Sequence, residues 1–504
     1  MEEETMKKTA TRILALFLMG LMLSSTVACG GNTPAITTDP SKVTDSTTKT
    51  TETDVVTEAI PGIWAPDDWN KLLGSGDYTC NILLGLTTLG RDEFKTESSA
   101  TVFDAAVFRR TQQMMDLGVC METEVHLTGG FSAYTRLNEQ YTAGDTDYDF
   151  TIARSYDVAK LTTAGYLYDL NTLDNLDLSN PWWDETVTRD CTIDNSVYFT
   201  SGDISTLVND FVCCIAVNKK LFSEVTGETT TTLYNTIGEG KWTLDVLDKY
   251  AKMLSEDLNN DEILDSRDKF GLAVWDSRVI AAIHGCGGKV VTINDKGELT
   301  LTLNTERNAQ GVEKFLEMCM NPYVLNMSGM TGGKSWKTLF PDEQLMFSMS
   351  SFNSLSDYRN LENSDYGILP QPKTFEDQDN YYSSIVSTHA CFFAMPLMQE
   401  NAERTAAIAE ALGYLGQEYL TPAYYTKTLE GQYIRDNESA DSIRICFDGK
   451  VVDLGDYFSI GTYYKQLAQL LDNRNPTGFA SMYETYRKAA ETALSSLNEQ
   501  MQSH

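Results

Sequence analysis

The chain has 504 residues, 42% of them hydrophobic, and a formal net charge of −33 at pH 7. That length predicts about two domains, and the composition is ordinary for a folded protein. The acidic balance argues against binding nucleic acid or anionic lipid through a basic patch, because such binding needs clustered lysines and arginines. After residue 30 no apolar run is long enough for a membrane-spanning helix.

The first segment has the pattern of a secretory signal peptide. An apolar run at residues 13–23 follows three basic residues, and small residues precede Cys29. The run is too short to span a bilayer, which takes about 20 apolar residues. Translation from Met6 fits the pattern better than translation from the first methionine, since the residues between them include three glutamates.

Residues 26–29, Thr-Val-Ala-Cys, resemble a bacterial lipoprotein box. The resemblance implies a diacylglyceryl thioether on Cys29 and cleavage before it. The alternative is an ordinary signal peptide cut near Ala28. We therefore predict a signal peptide at 1–28 and a lipidated cysteine with a disordered, Thr-rich linker at 29–62. The lipid would hold the folded body at the outer face of the bacterial cell membrane.

The folded body is predicted to begin near residue 63 with alternating strands and helices. Strands are predicted at residues 78–85, 119–127 and 148–153, and helices between them at 102–117 and 133–143. This β-α-β-α-β order is typical of a mostly parallel sheet with crossover helices. Ligands bind beyond the carboxyl ends of strands in such sheets, so residues 154–157 are the first candidates for a site.

A second α/β region follows an apolar strand at 211–217, which we expect to cross between two lobes. Further elements are predicted as strands at 270–274, 345–349 and 366–369, a helix at 243–254 and a hairpin near 294–297. A return crossing at 384–394 precedes amphipathic helices at 402–415 and 479–501. We therefore expect two discontinuous lobes, residues 63–205 with 388–440 and residues 206–387 with 441–504.

Several short segments resemble, in the same order, those of family 1 extracellular solute-binding proteins of ABC importers, which include the maltose-binding-protein-like proteins. These segments are 149–152, 165–170, 180–184, 198–205, 241–245, 366–373 and 435–439. The resemblance spans residues 75–500 and implies a type II two-lobed clamshell, each lobe a mostly parallel sheet flanked by helices. It also implies a monomer that binds carbohydrate in the interlobe cleft and delivers it to ABC transporter permease subunits.

An acidic loop at residues 257–268 has the spacing of an EF-hand-type calcium loop. The expected ligands are Asp257, Asn259, Asp261, the Ile263 carbonyl, Asp265 and Asp268. Two positions depart from that pattern: Glu262 replaces the usual Gly, and Asp268 replaces a bidentate Glu. We expect a structural Ca²⁺ that fixes the turn before the next strand. The alternative is an acidic surface loop.

Residues that follow the predicted strands supply the groups that sugars require. Sugars present apolar C–H faces ringed by hydroxyls, so their sites pair aromatic rings with carboxylates and arginines. The expected ligand contacts are Arg154, Tyr156, Asp157, Asp203, Trp275, Asp276 and Phe352. Each of these is alternatively a core or surface-loop residue. Of the adjacent Trp182 and Trp183, we expect one in the core and leave the other open.

The sequence carries no catalytic signature. None of its four histidines has HExxH spacing, no GxSxG motif is present, and residues 329–335 fall one residue short of a P-loop. We therefore predict a sugar-binding protein without enzymatic activity. One alternative is an exported glycoside hydrolase or lyase, since 72 carboxylates leave room for a catalytic pair. Another is the same clamshell adapted to a different solute.

Overall fold

The computed structural model describes residues 66–502, except for 75–76, 97–98, 128–131, 145–146, 329, 331–335, 359–364 and 430–436. The predicted signal peptide, Cys29 and the linker at 29–62 lie outside the described residues. Within the described ranges, no helix has the length and apolar character needed to cross a membrane.

Helices and strands alternate along most of the described chain. The helices are α1 (Pro66–Leu73), α2 (Val102–Asp116), α3 (Ala133–Ala143), α4 (Ser155–Thr163), α5 (Glu185–Cys191), α6 (Lys219–Thr226), α7 (Thr231–Gly238), α8 (Leu244–Ala251), α9 (Ile280–His284), α10 (Glu306–Cys319), α11 (Trp336–Leu339), α12 (Phe352–Tyr358), α13 (Ala402–Leu415), α14 (Thr421–Leu429), α15 (Asn437–Asp448), α16 (Leu454–Tyr457), α17 (Tyr463–Asp472) and α18 (Phe479–Met501). The strands are β1 (Tyr78–Leu86), β2 (Val119–Leu127), β3 (Phe150–Arg154), β4 (Cys213–Asn218), β5 (Ser255–Glu256), β6 (Lys269–Val274), β7 (Val291–Ile293), β8 (Leu299–Leu301), β9 (Val324–Asn326), β10 (Leu345–Ser351), β11 (Tyr366–Pro370), β12 (Ser383–Ser384), β13 (Cys391–Ala394) and β14 (Lys450–Val451).

The first main sheet has the strand order β13-β3-β1-β2. β1 pairs in parallel with both neighbours, so that Leu84 lies opposite Val125 and Ile152. β13 comes from much later in the chain and pairs antiparallel with β3. The carboxyl ends of β1, β2 and β3 therefore meet at one edge of the sheet, as the predicted β-α-β-α-β order requires.

The second main sheet has the order β11-β4-β10-β6-β5, with β9 pairing β6. β6 is parallel to β9 and β10, whereas β4 is antiparallel to β10 and β11. All six residues of β4 are buried, which explains the continuous apolar run that marks this strand in the sequence. Both main sheets are flanked by helices, and the fold is α/β with mostly parallel strands.

Local signals account for the helix boundaries that were predicted closely. Thr101 and Asp104 form the expected capping box of α2, and Ser132 accepts a hydrogen bond from the backbone N–H of Thr135 at the start of α3. The helix predicted at 243–254 is shorter and ends at Ala251. Its last turn lies directly on β6, where a Cβ on Gly271 would come within 1.7 Å of the Ala251 carbonyl oxygen.

Trp182 and Trp183 are both buried, at 5% and 4% exposure, so the prediction of one core tryptophan is confirmed and the second is in the core as well. Both indole N–H groups donate to one carboxylate oxygen of Glu410, which is itself fully buried on α13. The other Glu410 oxygen accepts from the Asp177 backbone N–H and the Asn180 amide. One carboxylate thus satisfies two buried indole N–H groups and two part-buried donors from the segment 177–183.

Candidate functional site

A cavity of about 790 Å³ lies at the carboxyl ends of β2 and β3. On one side its wall comes from the first residues of α3 and from α4, which begins directly after β3. On the other side it comes from Tyr457, Phe458 and Ser459, at the end of α16. This edge of a parallel sheet is where α/β proteins bind their ligands.

Arg154 and Asp157 form an ion pair at the N-terminus of α4. The Arg154 Nε and Nη2 atoms donate to Asp157 Oδ2 at 3.1 and 2.9 Å, and the Asp157 carboxylate is buried. The pairing provides the charge compensation that a buried carboxylate requires. It also fixes the guanidinium group against the first turn of the helix, where both residues line the cavity.

Tyr156 joins this side of the cavity to the C-terminal part of the chain. Its hydroxyl donates to Asp456 Oδ1 at 2.9 Å and lies 3.2 Å from the Ser387 hydroxyl. Asp456 is buried on α16, and burial is the main cause that raises the pKa of its carboxyl to about 7, with Asp453 adding to the shift. Burial likewise raises the pKa of the Tyr156 phenol.

Four aromatic rings and a lysine complete the part of the lining that suits a sugar. The rings belong to Tyr134, Tyr156, Tyr457 and Phe458. The Lys160 Nζ lies 5.7 Å from the centroid of the Tyr134 ring. The phenol oxygen of Tyr457 is buried and has no hydrogen-bond partner among the described residues. Aromatic faces beside a few polar groups are the lining that carbohydrate recognition needs.

Three of the seven predicted ligand contacts, Arg154, Tyr156 and Asp157, line this cavity, and the other four do not. Asp203 lies elsewhere, where its carboxylate accepts from Thr421 at 2.5 Å. Burial raises the Asp203 pKa to about 6. Asp276 accepts from the Ser328 hydroxyl at 2.6 Å. Their role in ligand binding stays a prediction.

The two aromatic residues predicted from the second sheet pack against the larger apolar core. Phe352 starts α12 directly after β10, and its ring is only 3% exposed. The ring stacks on Phe447 with their centroids 4.6 Å apart. Trp275 follows β6 as predicted and is half-buried. Both residues follow their strands as predicted, but neither ring lines the cavity beside α4.

Sequence reasoning missed several residues of the cavity. Lys160 follows Tyr156 by four positions and so lies on the same face of α4, a spacing that could have identified it. Tyr134 lies in the first turn of α3, after the carboxyl end of β2. Tyr457 and Phe458 carry no local signal, because only the tertiary fold brings the C-terminal segment to this edge.

The loop at 257–268 has some of the backbone geometry of a calcium loop. Asp257 accepts hydrogen bonds from the backbone N–H groups of Asn260 and Glu262, and Glu262 has a φ of 64° where the pattern usually has Gly. However, Arg267 Nη2 donates to Asp261 at 2.8 Å and to Asp265 at 2.5 Å. Among the described residues no group of three or more His, Cys, Asp or Glu is placed to hold a metal ion.

The Asp268 carboxylate is also engaged, since it accepts from the backbone N–H groups of Leu258 and Asp265. The backbone therefore fits a calcium loop better than the side chains do. Calcium binding stays a prediction, and it would require the Arg267 guanidinium to leave the two carboxylates.

We expect calcium to raise the melting temperature and Asp261→Ala to remove that increment. Calcium at about 100 times its Kd would stabilise the chain by roughly 2.7 kcal/mol. Arg267→Gln should enlarge the increment, because it removes the competing cation. Melts with calcium and with chelator measure the effect, and Asp295→Ala on the exposed β7–β8 turn is the control. Melting that is indifferent to calcium and chelator would count against the site.

A second cavity, of about 550 Å³, lies at the opposite edge of the first sheet, near the amino ends of β1 and β3. Its Asp149 carboxylate accepts from the Asn81 backbone N–H and the Thr405 hydroxyl, at 2.8 and 3.1 Å. Glu124 accepts from the Tyr148 hydroxyl and from Arg136. These acids are engaged in holding the sheet edge together, and the edge is not the one at which such folds bind ligands.

No family model and no curated relative matches the sequence. Solved structures match the fold. An ABC substrate-binding protein of Listeria monocytogenes, solved with cycloalternan, is 13% identical with a TM-score of 0.54 over 84% of this chain and 99% of its own. The cyclic alpha-maltosyl-1,6-maltose binding protein of Arthrobacter globiformis is 13% identical with a TM-score of 0.56 over 83% of this chain and 99% of its own.

UgpB of Mycobacterium tuberculosis, solved with glycerophosphocholine, is 13% identical with a TM-score of 0.53 and covers 85% of this chain and 100% of its own. At these identities the likeness concerns the fold, and it agrees with the two mostly parallel, helix-flanked sheets described above. The chain therefore has the two-lobed α/β fold of the maltose-binding-protein-like solute-binding proteins.

Proposed function

We propose that this protein is an extracellular solute-binding protein that delivers a sugar or oligosaccharide to an ABC importer. The observation that carries the proposal is the aromatic and polar cavity at the carboxyl ends of β2 and β3, within a fold shared with solute-binding proteins. Of the similar structures, one was solved in complex with cycloalternan and another is named as a cyclic alpha-maltosyl-1,6-maltose binding protein. The protein would act as a monomer that docks on the permease subunits.

In this proposal the ligand lies between α4 and the C-terminal segment 457–459. The rings of Tyr134 and Phe458 would cover the apolar faces of a sugar, and the ion-paired Arg154 would bind its hydroxyls. The Tyr156–Asp456 hydrogen bond spans from α4 to α16, so ligand binding and movement of these two elements would be coupled. Closure of the two lobes would then signal the loaded state to the importer.

Isothermal titration against a panel of oligosaccharides tests the proposal. We expect saturable binding without turnover, and Tyr134→Ala should weaken it by roughly 1–3 kcal/mol through loss of a buried apolar face. Trp275→Ala and Phe352→Ala test in the same way the sequence prediction that either ring is a stacking platform. Phe108→Ala, which removes an exposed ring from α2, is the control.

Two outcomes would contradict the proposal. If no oligosaccharide in the panel binds, saccharides are excluded as the ligand of this protein. Turnover of a saccharide that depends on two carboxylates would support the alternative, an exported glycoside hydrolase or lyase.

The proposed membrane anchor is tested at Cys29. We expect the wild-type protein in the membrane fraction, and Cys29→Ala should release it because the acylated thiol is removed. Cys120→Ala, at a half-buried cysteine of β2, should leave the protein at the membrane. Labelling with a fatty-acid analogue measures acylation directly. A Cys29→Ala protein that is still acylated and membrane-bound would show that the anchor lies elsewhere.

A further inference from the structure

The cavity beside α4 differs in charge from the rest of this acidic protein. Its lining contains two cationic side chains, Arg154 and Lys160, and a single carboxylate, Asp157. Asp157 is buried and paired with Arg154. The chain as a whole has a net charge of −33, whereas the side chains that line this cavity have a net positive charge.

Both cations have capacity left for a ligand. Arg154 uses Nε and Nη2 on Asp157, and its Nη1 has no acceptor among the described residues. Lys160 is exposed, and no carboxylate in the described part of the chain pairs with it. The Lys160 Nζ lies over the Tyr134 ring, 5.7 Å from its centroid, so the ammonium group is next to the wall formed by α3.

The backbone adds to this positive character. α3 and α4 both begin at the cavity, with Ser132 and Arg154 at their N-caps, and both N-caps line it. The amino ends of helices carry partial positive charge and unpaired N–H groups, which favour an anion. Asp456 does not line the cavity, and its carboxylate accepts a hydrogen bond from the Tyr156 hydroxyl.

We propose that the saccharide bound in this cavity carries an anionic group, a carboxylate or a phosphate, held between Lys160 and Arg154. This inference rests on the proposed function and narrows its substrate class. Arginine and lysine bind carboxylate and phosphate oxygens through charge-assisted hydrogen bonds, which are stronger than those to a neutral hydroxyl. The ring of Phe458, which is half-buried on the opposite wall, would pack against the sugar ring that bears the group.

Titration of the full-length chain with matched pairs of sugars tests the inference. One arm compares oligogalacturonides with galactose oligomers of the same length, and a second compares glucose 6-phosphate with glucose. We expect the anionic member of at least one pair to bind roughly tenfold more tightly, equivalent to about 1.4 kcal/mol. A preference in the first arm identifies a carboxylate ligand, and a preference in the second identifies a phosphate ligand.

Lys160→Gln should reduce that preference by roughly tenfold, and raised salt should weaken it because the contact is partly exposed. Lys252→Gln, at an exposed lysine after α8, should leave the preference unchanged. Tighter binding of the neutral members would overturn this inference and leave the proposed function standing. Failure of every saccharide to bind would overturn both. An anionic preference that Lys160→Gln and Arg154→Gln both leave intact would also overturn the inference.

Discussion

Replacing Glu410 with Ala is expected to destabilise the protein by roughly 3–5 kcal/mol, because two buried indole N–H groups and two part-buried donors lose their acceptor. Glu410 is 0% exposed, and its two oxygens accept from both indoles of Trp182 and Trp183, from the Asp177 backbone and from the Asn180 amide. Burial raises the pKa of this carboxyl, while the hydrogen bonds oppose that shift. Urea unfolding followed by tryptophan fluorescence measures the loss.

A matched control lies ten residues earlier in the sequence. Glu400 is 87% exposed on its side chain and pairs with Arg404 at 3.2 Å. Glu400 is the solvent-exposed end of this pair, and ion pairs in solvent contribute about 0–1 kcal/mol, so Glu400→Ala should barely change the unfolding midpoint. The loss of stability in Glu410→Gln should lie between those of the two Ala variants. Gln keeps one acceptor oxygen, but its NH2 group faces donors that previously bonded to the other oxygen. Equal stabilities of the Glu410 and Glu400 variants would show that the four-donor cluster is not what holds the segment 177–183.

We expect Asp456 to make the protein less stable as pH rises from about 4 to about 7. The pKa of its carboxyl is 3.8 in the unfolded reference and about 7 in the fold, where burial penalises the charged form. Between those values the folded chain binds more protons than the unfolded chain, so stability is full below the lower pKa and is lost through the upper one. The loss should reach a few kcal/mol at neutral pH, since each pKa unit corresponds to about 1.4 kcal/mol.

Asp456→Asn should flatten this part of the pH profile, because the amide cannot ionise and still offers an oxygen to the Tyr156 hydroxyl. Asp203→Asn should also reduce the loss of stability with rising pH, but by less, because the Asp203 pKa rises only to about 6. Asp295→Asn, at an exposed turn, is the control. Urea midpoints measured across the pH range provide the test. A profile for Asp456→Asn that parallels the wild type would contradict the assignment.

The elements of the first sheet follow from the sequence because their signals are local. Caps such as Thr101 and Ser132 are satisfied within three residues, and the buried faces of strands repeat every two. The predicted order of strands and helices then implied a parallel sheet and a ligand edge after β3. That reasoning alone identified Arg154, Tyr156 and Asp157, all of which line the cavity.

The other wall of the cavity was decided by the tertiary structure. Tyr156 and Asp456 are 300 residues apart, and Trp182 reaches Glu410 across 228 residues. Nothing in the spacing of such residues encodes their contact, because it depends on how the later chain returns to the first sheet. Phe352 follows its strand as predicted, yet packing against Phe447 buries its ring. Capping hydrogen bonds and the hydrophobic periodicity of single elements can therefore be predicted from the sequence, because they involve residues only a few positions apart. The partners of buried charges and rings are determined only when distant segments pack together.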